Sequence, residues 1–191
     1  MEAVGVGVLP PLGGEPMERS SSQVDYIVSV LYDGVPVDLA LAGGLSRLSA
    51  AGIHAEDAQV AILVDALVEQ GRRDETLFVY VSDHGELFGE HGGMAHGADL
   101  YEELLQVPVL VKLPASWEQA GISGEVSLLD LAPTILDVTG TDNELHLTGR
   151  SLLRGIQAPV YRYAEATAGR MESVRDDRFK LILSDGRMSA V

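Results

Sequence analysis

The segment EDAQVAILVDALVEQG (Glu56 to Gly71), joined by RRDET to LFVYVSD (Leu77 to Asp83), most constrains the fold of this chain. In the first stretch Val60, Leu63, Val64 and Leu67 recur at i, i+3, i+4 and i+7, the stripe of an amphipathic helix. Glu56 and Asp57 suit its N-terminus, and Gly71 follows its last turn as a C-cap. The second stretch is a continuous apolar, β-prone run and reads as a buried strand. A helix, a short turn and a strand buried on both faces are half of the alternation that builds α/β domains.

The flanking segments extend this pattern. VDLALAGGLSRLSAAG before it can form a helix, but Gly43 and Gly44 weaken the middle, so two separate helices are expected. VPVLVKL (Val107 to Leu113) reads as a second buried strand between Pro108 and Pro114. LLDLAPTILDVTG (Leu128 to Gly140) reads as a helix with Asp130 as N-cap, Pro133 in the first turn and Gly140 at its end. PVYRYAEA and FKLILSDG predict short strands of a small antiparallel sheet, with turns at Asp176–Asp177 and Asp185–Gly186 and no strand after the second turn. The expected domains are a disordered leader over 1–24, an α/β catalytic domain over 25–156 and an incomplete antiparallel subdomain over 157–191.

Composition narrows the function. The chain carries 29 acidic residues against 13 Lys and Arg, a net charge of −16, which disfavours nucleic acid and anionic membranes. It has no cysteine, which removes disulfides, thiolate metal sites and a cysteine nucleophile. No apolar run is long enough to span a bilayer and the N-terminal stretch is not a signal peptide, so a cytoplasmic chain is expected, its parent's export undetermined.

Chemistry concentrates in YVSDHGELFGEHGGMAHGADLYEE (Tyr80 to Glu103). It holds His84, His91 and His96 of the chain's five histidines, with Asp83, Glu86, Glu90 and Asp99 among them. Ligands of α/β sheets bind beyond the carboxyl ends of the strands, where Asp83 and His84 fall. A carboxylate beside an imidazole is half of a metal site; oxygen ligation suits Ca²⁺, Mg²⁺ or Mn²⁺, and the histidine admits Zn²⁺. Asp83 can equally make an Asx-turn or helix N-cap beside an exposed His84. His91 reads as a solvated loop residue, His96 stands open between ligand and loop, and Glu86 and Glu90 read as solvent-facing. His54 and His146 read as surface histidines, and Lys112 as a strand lysine rather than a substrate contact. A self-sufficient zinc site of Asp83, His84, His91 and His96 is a further reading.

TLFVYVSDHGELFGEHG, LYEELLQVPVLVKLP, LLDLAPTILDVTG, GRSLL and VRDDRFKLI occur in one order at natural spacings. Together they resemble the C-terminal half of a sulfatase of the alkaline-phosphatase superfamily. The resemblance covers residues 26 to 186. It implies a partial alkaline-phosphatase-like fold, a mixed sheet flanked by helices with the start of a small antiparallel C-terminal sheet. It implies that Asp83 and His84 bind a divalent metal, Ca²⁺ before Mg²⁺, Mn²⁺ or Zn²⁺, and that His96 is the catalytic residue contacting the sulfate.

The chain also departs from that family. It has no Cys- or Ser-x-Pro-Ser-Arg nucleophile motif, and no Asp pair precedes Asp83. The expectation is therefore a piece of a metal-dependent sulfate-ester hydrolase, inactive by itself, that begins within the catalytic domain and stops within the C-terminal one. The alternatives are a non-catalytic scaffold or interaction domain, self-associating through an exposed sheet edge, or part of a phosphoryl-transferring relative.

Overall fold

The computed structural model describes residues 21–117, 126–141, 146–154, 161–166, 170–184 and 187–190. Helix α1 (Ser21–Asp33) leads into α2 (Leu39–Glu69), a single helix of 31 residues, about 46 Å long. The expected leader over 1–24 lies almost wholly outside the described residues, but its last four residues belong to α1. The expected pair of helices is one helix instead. Asp38 caps it, Oδ1 accepting from Ala40 N at 2.9 Å and Leu41 N at 3.2 Å. Gly71, at φ 66°, closes it: its N–H donates to Val68 O and that of Arg72 to Leu67 O. Three glycines inside the helix weaken its propensity by about 1 kcal/mol each without ending it.

After α2 the chain forms β1 (Phe78–Val81), which pairs antiparallel with β4 (Val109–Lys112), Phe78 opposite Lys112 and Val81 opposite Val109. Lys112 is not directed at a ligand: its ammonium donates to Thr76 O at 3.1 Å and to Arg73 O, tying β4 to the turn before β1. The expectation of two buried strands is only partly met. Val81 is 39% and Leu110 62% exposed, so the ribbon is covered on part of its surface alone.

Between the two strands lie a tight hairpin, β2 (Leu87–Phe88) with β3 (Met94–Ala95), and a one-turn helix α3 (Glu102–Leu105). This hairpin is packed rather than loose. Met94 is 1% exposed and clusters with Val30 of α1 and Ala42 of α2, flanked by Tyr26, Val37 and Leu45. The glycines allow that closeness: a Cβ on Gly93 would lie 2.7 Å from the Leu87 side chain.

The remainder is scaffold. A capping box between Ser127 and Asp130 starts a short 3₁₀ turn that runs into α4 (Leu131–Thr139), ended by Gly140 at φ 65°. Asp130 thus serves the cap from the other side of the box, and its Oδ1 also accepts from Arg150 N at 2.8 Å. The GRSLL segment folds back here: buried Thr134 donates to Asp130 O and accepts from Leu152 N at 2.9 Å. The chain then forms β5 (Arg162–Ala166), β6 (Met171–Arg175), β7 (Lys180–Ser184) and β8 (Arg187–Ala190), an antiparallel sheet in sequence order. The expected turn at Asp176 is present, its Oδ1 accepting from Arg178 N and Phe179 N. The second expected turn, at Asp185–Gly186, lies outside the described residues, but a return strand does follow: RMSA is β8, paired along β7 from Leu181 to Ser184. Every strand pair among the described residues is antiparallel.

Candidate functional site

The site is built at the carboxyl end of β1. Ser82 leaves the strand and its hydroxyl donates to His84 O at 2.9 Å, bending the chain so that Asp83 and His84 both stand exposed. Asp83 Oδ1 accepts from His84 N at 2.9 Å, which fixes the carboxylate and leaves Oδ2 directed outward. His84 Nδ1 lies 2.8 Å from Gly85 O, an acceptor only, so Nδ1 carries a proton, and in the neutral imidazole Nε2 has the lone pair. Nε2 stands 3.7 Å from Asp83 Oδ2.

The two donor atoms thus face the same solvent-filled space at a separation that neighbouring ligands of one ion can share. One oxygen and one neutral imidazole nitrogen fit two positions of a divalent ion's shell. Among the described residues no group of three or more His, Asp or Glu is arranged to hold a metal ion. The four-ligand zinc reading therefore lacks support from the geometry, and His91 is instead engaged by Tyr101 and Glu103.

His96 is brought in from β3. Its ring centroid lies 3.9 Å from that of His84, and its Nδ1 is 3.1 Å from Glu86 Oε1. Glu86 is thereby half-buried and engaged rather than solvent-facing, a role its sequence position does not announce. The carboxylate accepts the Nδ1 proton and leaves His96 Nε2 as the outward atom. Glu90 stays exposed and accepts from Phe88 N at 2.6 Å, closing the hairpin.

His91 occupies the hairpin tip with φ 56° in the left-handed region. It is exposed, as expected, but held: its ring stacks on Tyr101 at 3.7 Å and Nε2 lies 3.2 Å from Glu103 Oε1. The Glu103 carboxyl is kept below its usual range by its own backbone N–H and by that imidazole, while burial pushes the Tyr101 hydroxyl up. Burial likewise pushes up Asp99, which lines a small cleft of about 170 Å³ with His91 and His96. A wider cleft of about 520 Å³ lies on the other side, between Asp83, Tyr80, Leu128 and Glu56 of α2. His54 and His146 are surface residues.

The turn owes its position to α3. Gly85 N donates to Leu104 O at 2.8 Å, and a Cβ on Gly85 would fall 1.9 Å from Glu103 O. Only glycine permits that approach.

A family profile described as sulfatase matches residues 46–141, about half of the chain and all of this site. The chain belongs to the sulfatase family. It is 30% identical over 138 residues to an uncharacterized sulfatase of Escherichia coli K12, covering 67% of this chain and 27% of the relative. It is 37% identical over 97 residues to arylsulfatase K of Bos taurus, covering 51% of this chain and 18% of that protein. The N-acetylglucosamine-6-O-sulfatase of Bacteroides thetaiotaomicron is 30% identical over 148 residues, covering 69% and 26%. Among solved structures, an enzyme captured with its substrate D-glucosamine-2-N,6-O-disulfate superposes with TM-score 0.59 at 27% identity, over 73% of this chain and 32% of that one. A phosphonate monoester hydrolase from Silicibacter pomeroyi shares the fold, with TM-score 0.59 at 22% identity over 70% and 31%. This sulfatase-family chain therefore has the superfamily's mixed helix-and-sheet fold, with a small antiparallel sheet at its C-terminal side. It spans 18–27% of the length of these three curated relatives. No described helix is long and apolar enough to cross a membrane.

Proposed function

We propose that this chain contributes part of the active site of a metal-dependent sulfate-ester hydrolase and does not turn over substrate by itself. The observation that carries the reading is the convergence of Asp83, His84 and His96 at the end of β1, within a sulfatase-matched segment. Asp83 Oδ2 and His84 Nε2 would hold the divalent ion, with Ca²⁺ favoured by the carboxylate and by the acidity of the chain. The ion, when bound, would supply positive charge opposite the ester oxygens. His96, oriented by Glu86, would direct Nε2 at the sulfate or the leaving oxygen. What the sequence lacks is the family's nucleophile motif: it has no cysteine and no Ser-x-Pro-Ser-Arg. Two donors alone leave most of an ion's shell to water, so binding in the millimolar range is expected.

The test is calcium titration followed by NMR at the His84 ring, together with hydrolysis of an aryl sulfate and an aryl phosphate with Ca²⁺, Mn²⁺ or Zn²⁺. Saturable shifts lost in Asp83→Ala, with no turnover, are expected. Sulfate turnover by the purified chain would overturn the inactivity; phosphate turnover would place it with the phosphoryl-transferring branch. Shifts unchanged in Asp83→Ala would remove the metal assignment.

The exposed apolar ribbon favours a second reading, an interaction domain that self-associates through β1–β4. Leu110 and Val81 are exposed on it, and unpaired strand edges invite pairing. Sedimentation velocity of wild type against Leu110→Lys tests this: concentration-dependent association abolished by the lysine supports it, and a monomer at all concentrations ends it.

A further inference from the structure

Two cations of the C-terminal sheet reach a carboxylate far away in sequence. Lys180 Nζ donates to Glu102 Oε1 at 2.6 Å, and Arg175 Nη1 donates to Oε2 of the same carboxylate. Arg175 and Lys180 face each other across the β6–β7 ladder, so both charges come from one point of the sheet. Lys180 is only 6% exposed. An ammonium buried to that extent is tolerated only with a partner, and Glu102 supplies one.

Glu102 is the first residue of α3, and what surrounds it gives the contact a second consequence. Tyr101 immediately before it stacks on His91, and Glu103 immediately after it bonds the same ring. Leu104, buried, presents the carbonyl that receives Gly85 N–H, the residue after His84. Consecutive residues of one helical turn cannot move independently. A turn of four residues, with Gln106 N donating to Glu102 O, is far too short to be stable by itself. Its position must come from what holds its side chains, and the Glu102 ion triad is the strongest such hold among the described residues.

We propose that the C-terminal sheet positions the candidate site: Lys180 and Arg175 clamp Glu102, and through α3 they fix the turn bearing Asp83 and His84 and the ring of His91. Glu102 is a positioning residue and touches no substrate. The inference rests on the reading of that turn as the site, but its geometry can be measured whether or not a metal binds.

A reading confined to sheet docking predicts that loss of the clamp loosens the sheet and leaves the Asp83 turn alone. The experiment separates the two by hydrogen exchange of the full chain, comparing the Gly85 amide with the amides of β6 and β7, alongside the ring-current shift of His91 on Tyr101. The variants are Glu102→Gln, Lys180→Arg and the double variant Glu102→Gln/Lys180→Met, which removes the buried ammonium together with its carboxylate and leaves Arg175 in place. The expected result in the double variant is Gly85 exchange faster by roughly tenfold, the change that loss of about one such contact produces, with β6 and β7 protection kept. The His91 shift collapses toward the free-histidine value, whereas Lys180→Arg, which keeps a cation opposite Glu102, leaves both readings as in the wild type. Unchanged Gly85 exchange and His91 shift would overturn the proposal, and so would a loss of protection equal at Gly85 and across the sheet, which marks global destabilisation. Calcium titration of the wild type stands apart: failure to bind ends the metal assignment, while a loosened Gly85 still supports the clamp.

Discussion

The two strand systems of this chain are built from similar residues and covered differently. In β7, KLILS, Lys180 and Ile182 are buried while Leu181 between them is 38% exposed, the period-two alternation of a sheet with one covered face. In β1 and β4, FVYV and VLVK, apolar residues run without alternation, a pattern suited to strands covered on both faces. Yet Leu110 and Val81 remain exposed there, and α2 beside them exposes Ile53, Ile62, Leu63 and Val68. The C-terminal sheet buries Ser173, Lys180 and Ile182 on one face and exposes Tyr163, Val174, Leu181 and Met188 on the other, whereas no residue of β1 or β4 is fully buried among the described residues. The site lies at the end of the less covered system, and the Glu102 clamp runs to it from the better covered one.

The sharpest way to break this contrast is to remove the same kind of side chain from each system. Ile182→Ala takes a buried residue, 3% exposed, out of β7 and should cost about 2–4 kcal/mol in urea denaturation. Leu110→Ala removes a residue already in water and should cost less than about 0.5 kcal/mol. Equal losses would mean that the ribbon is covered in solution, by association or by residues outside those described.

A somewhat smaller effect is expected at the junction between the systems. Gly85→Ala places a methyl group against Glu103 O, backbone on backbone, so either the turn or α3 must shift. We expect a loss of about 2 kcal/mol and a separation of the His84 and His96 rings, read from NMR contacts between them. If stability and ring contacts both survive, the turn does not take its position from α3.

Much of this was legible in the sequence, and the parts that were not share a physical reason. Asp83 and His84 at a strand end, the helix closed by Gly71, the turn at Asp176 and the cap-and-glycine limits of α4 depend on neighbours in the chain, and local pattern reveals such things. The continuity of α2 through Gly43 and Gly44 did not show, because propensity is a weak prior and no residue there stops the helix. Leu63 falls on the apolar stripe of the sequence yet is 53% exposed; the stripe that is partly covered runs through Val60, Val64 and Leu67. β8 was missed because RMSA has little strand character until it lies beside β7. Glu86 reads as solvent-facing and nothing nearby in the sequence marks Glu102 or Lys180, since their partners lie 10 to 78 residues away. The one signal available for Lys180 was its place in an alternating strand, on the same face as Ile182.

The smallest effects test the contrast through charge. Asp137 of α4 receives Arg154 Nε and Nη2 at 3.0 and 2.8 Å, and that guanidinium holds its carboxyl below the usual range. A lowered value means that the folded state favours the ionised form, so its contribution is present at neutral pH and lost as pH falls through the folded value. Asp99 beside the site has the opposite sign: burial raises it, its bond from Leu100 N and its cationic neighbours only partly offsetting the cost. Folding there favours the protonated acid, so the benefit is present at low pH and disappears as pH rises through the folded value. Asp137→Asn should therefore destabilise at pH 7 and be silent in acid, whereas Asp99→Asn, which keeps an acceptor for Leu100 N, should stabilise slightly at pH 7 and be silent in acid. Thermal melts of both variants across pH 3 to 8 read the two slopes. If Asp99→Asn destabilises at neutral pH, its carboxylate is held by the site as an anion, and the small cleft it shares with His91 and His96 is an electrostatic unit rather than a by-product of packing the hairpin.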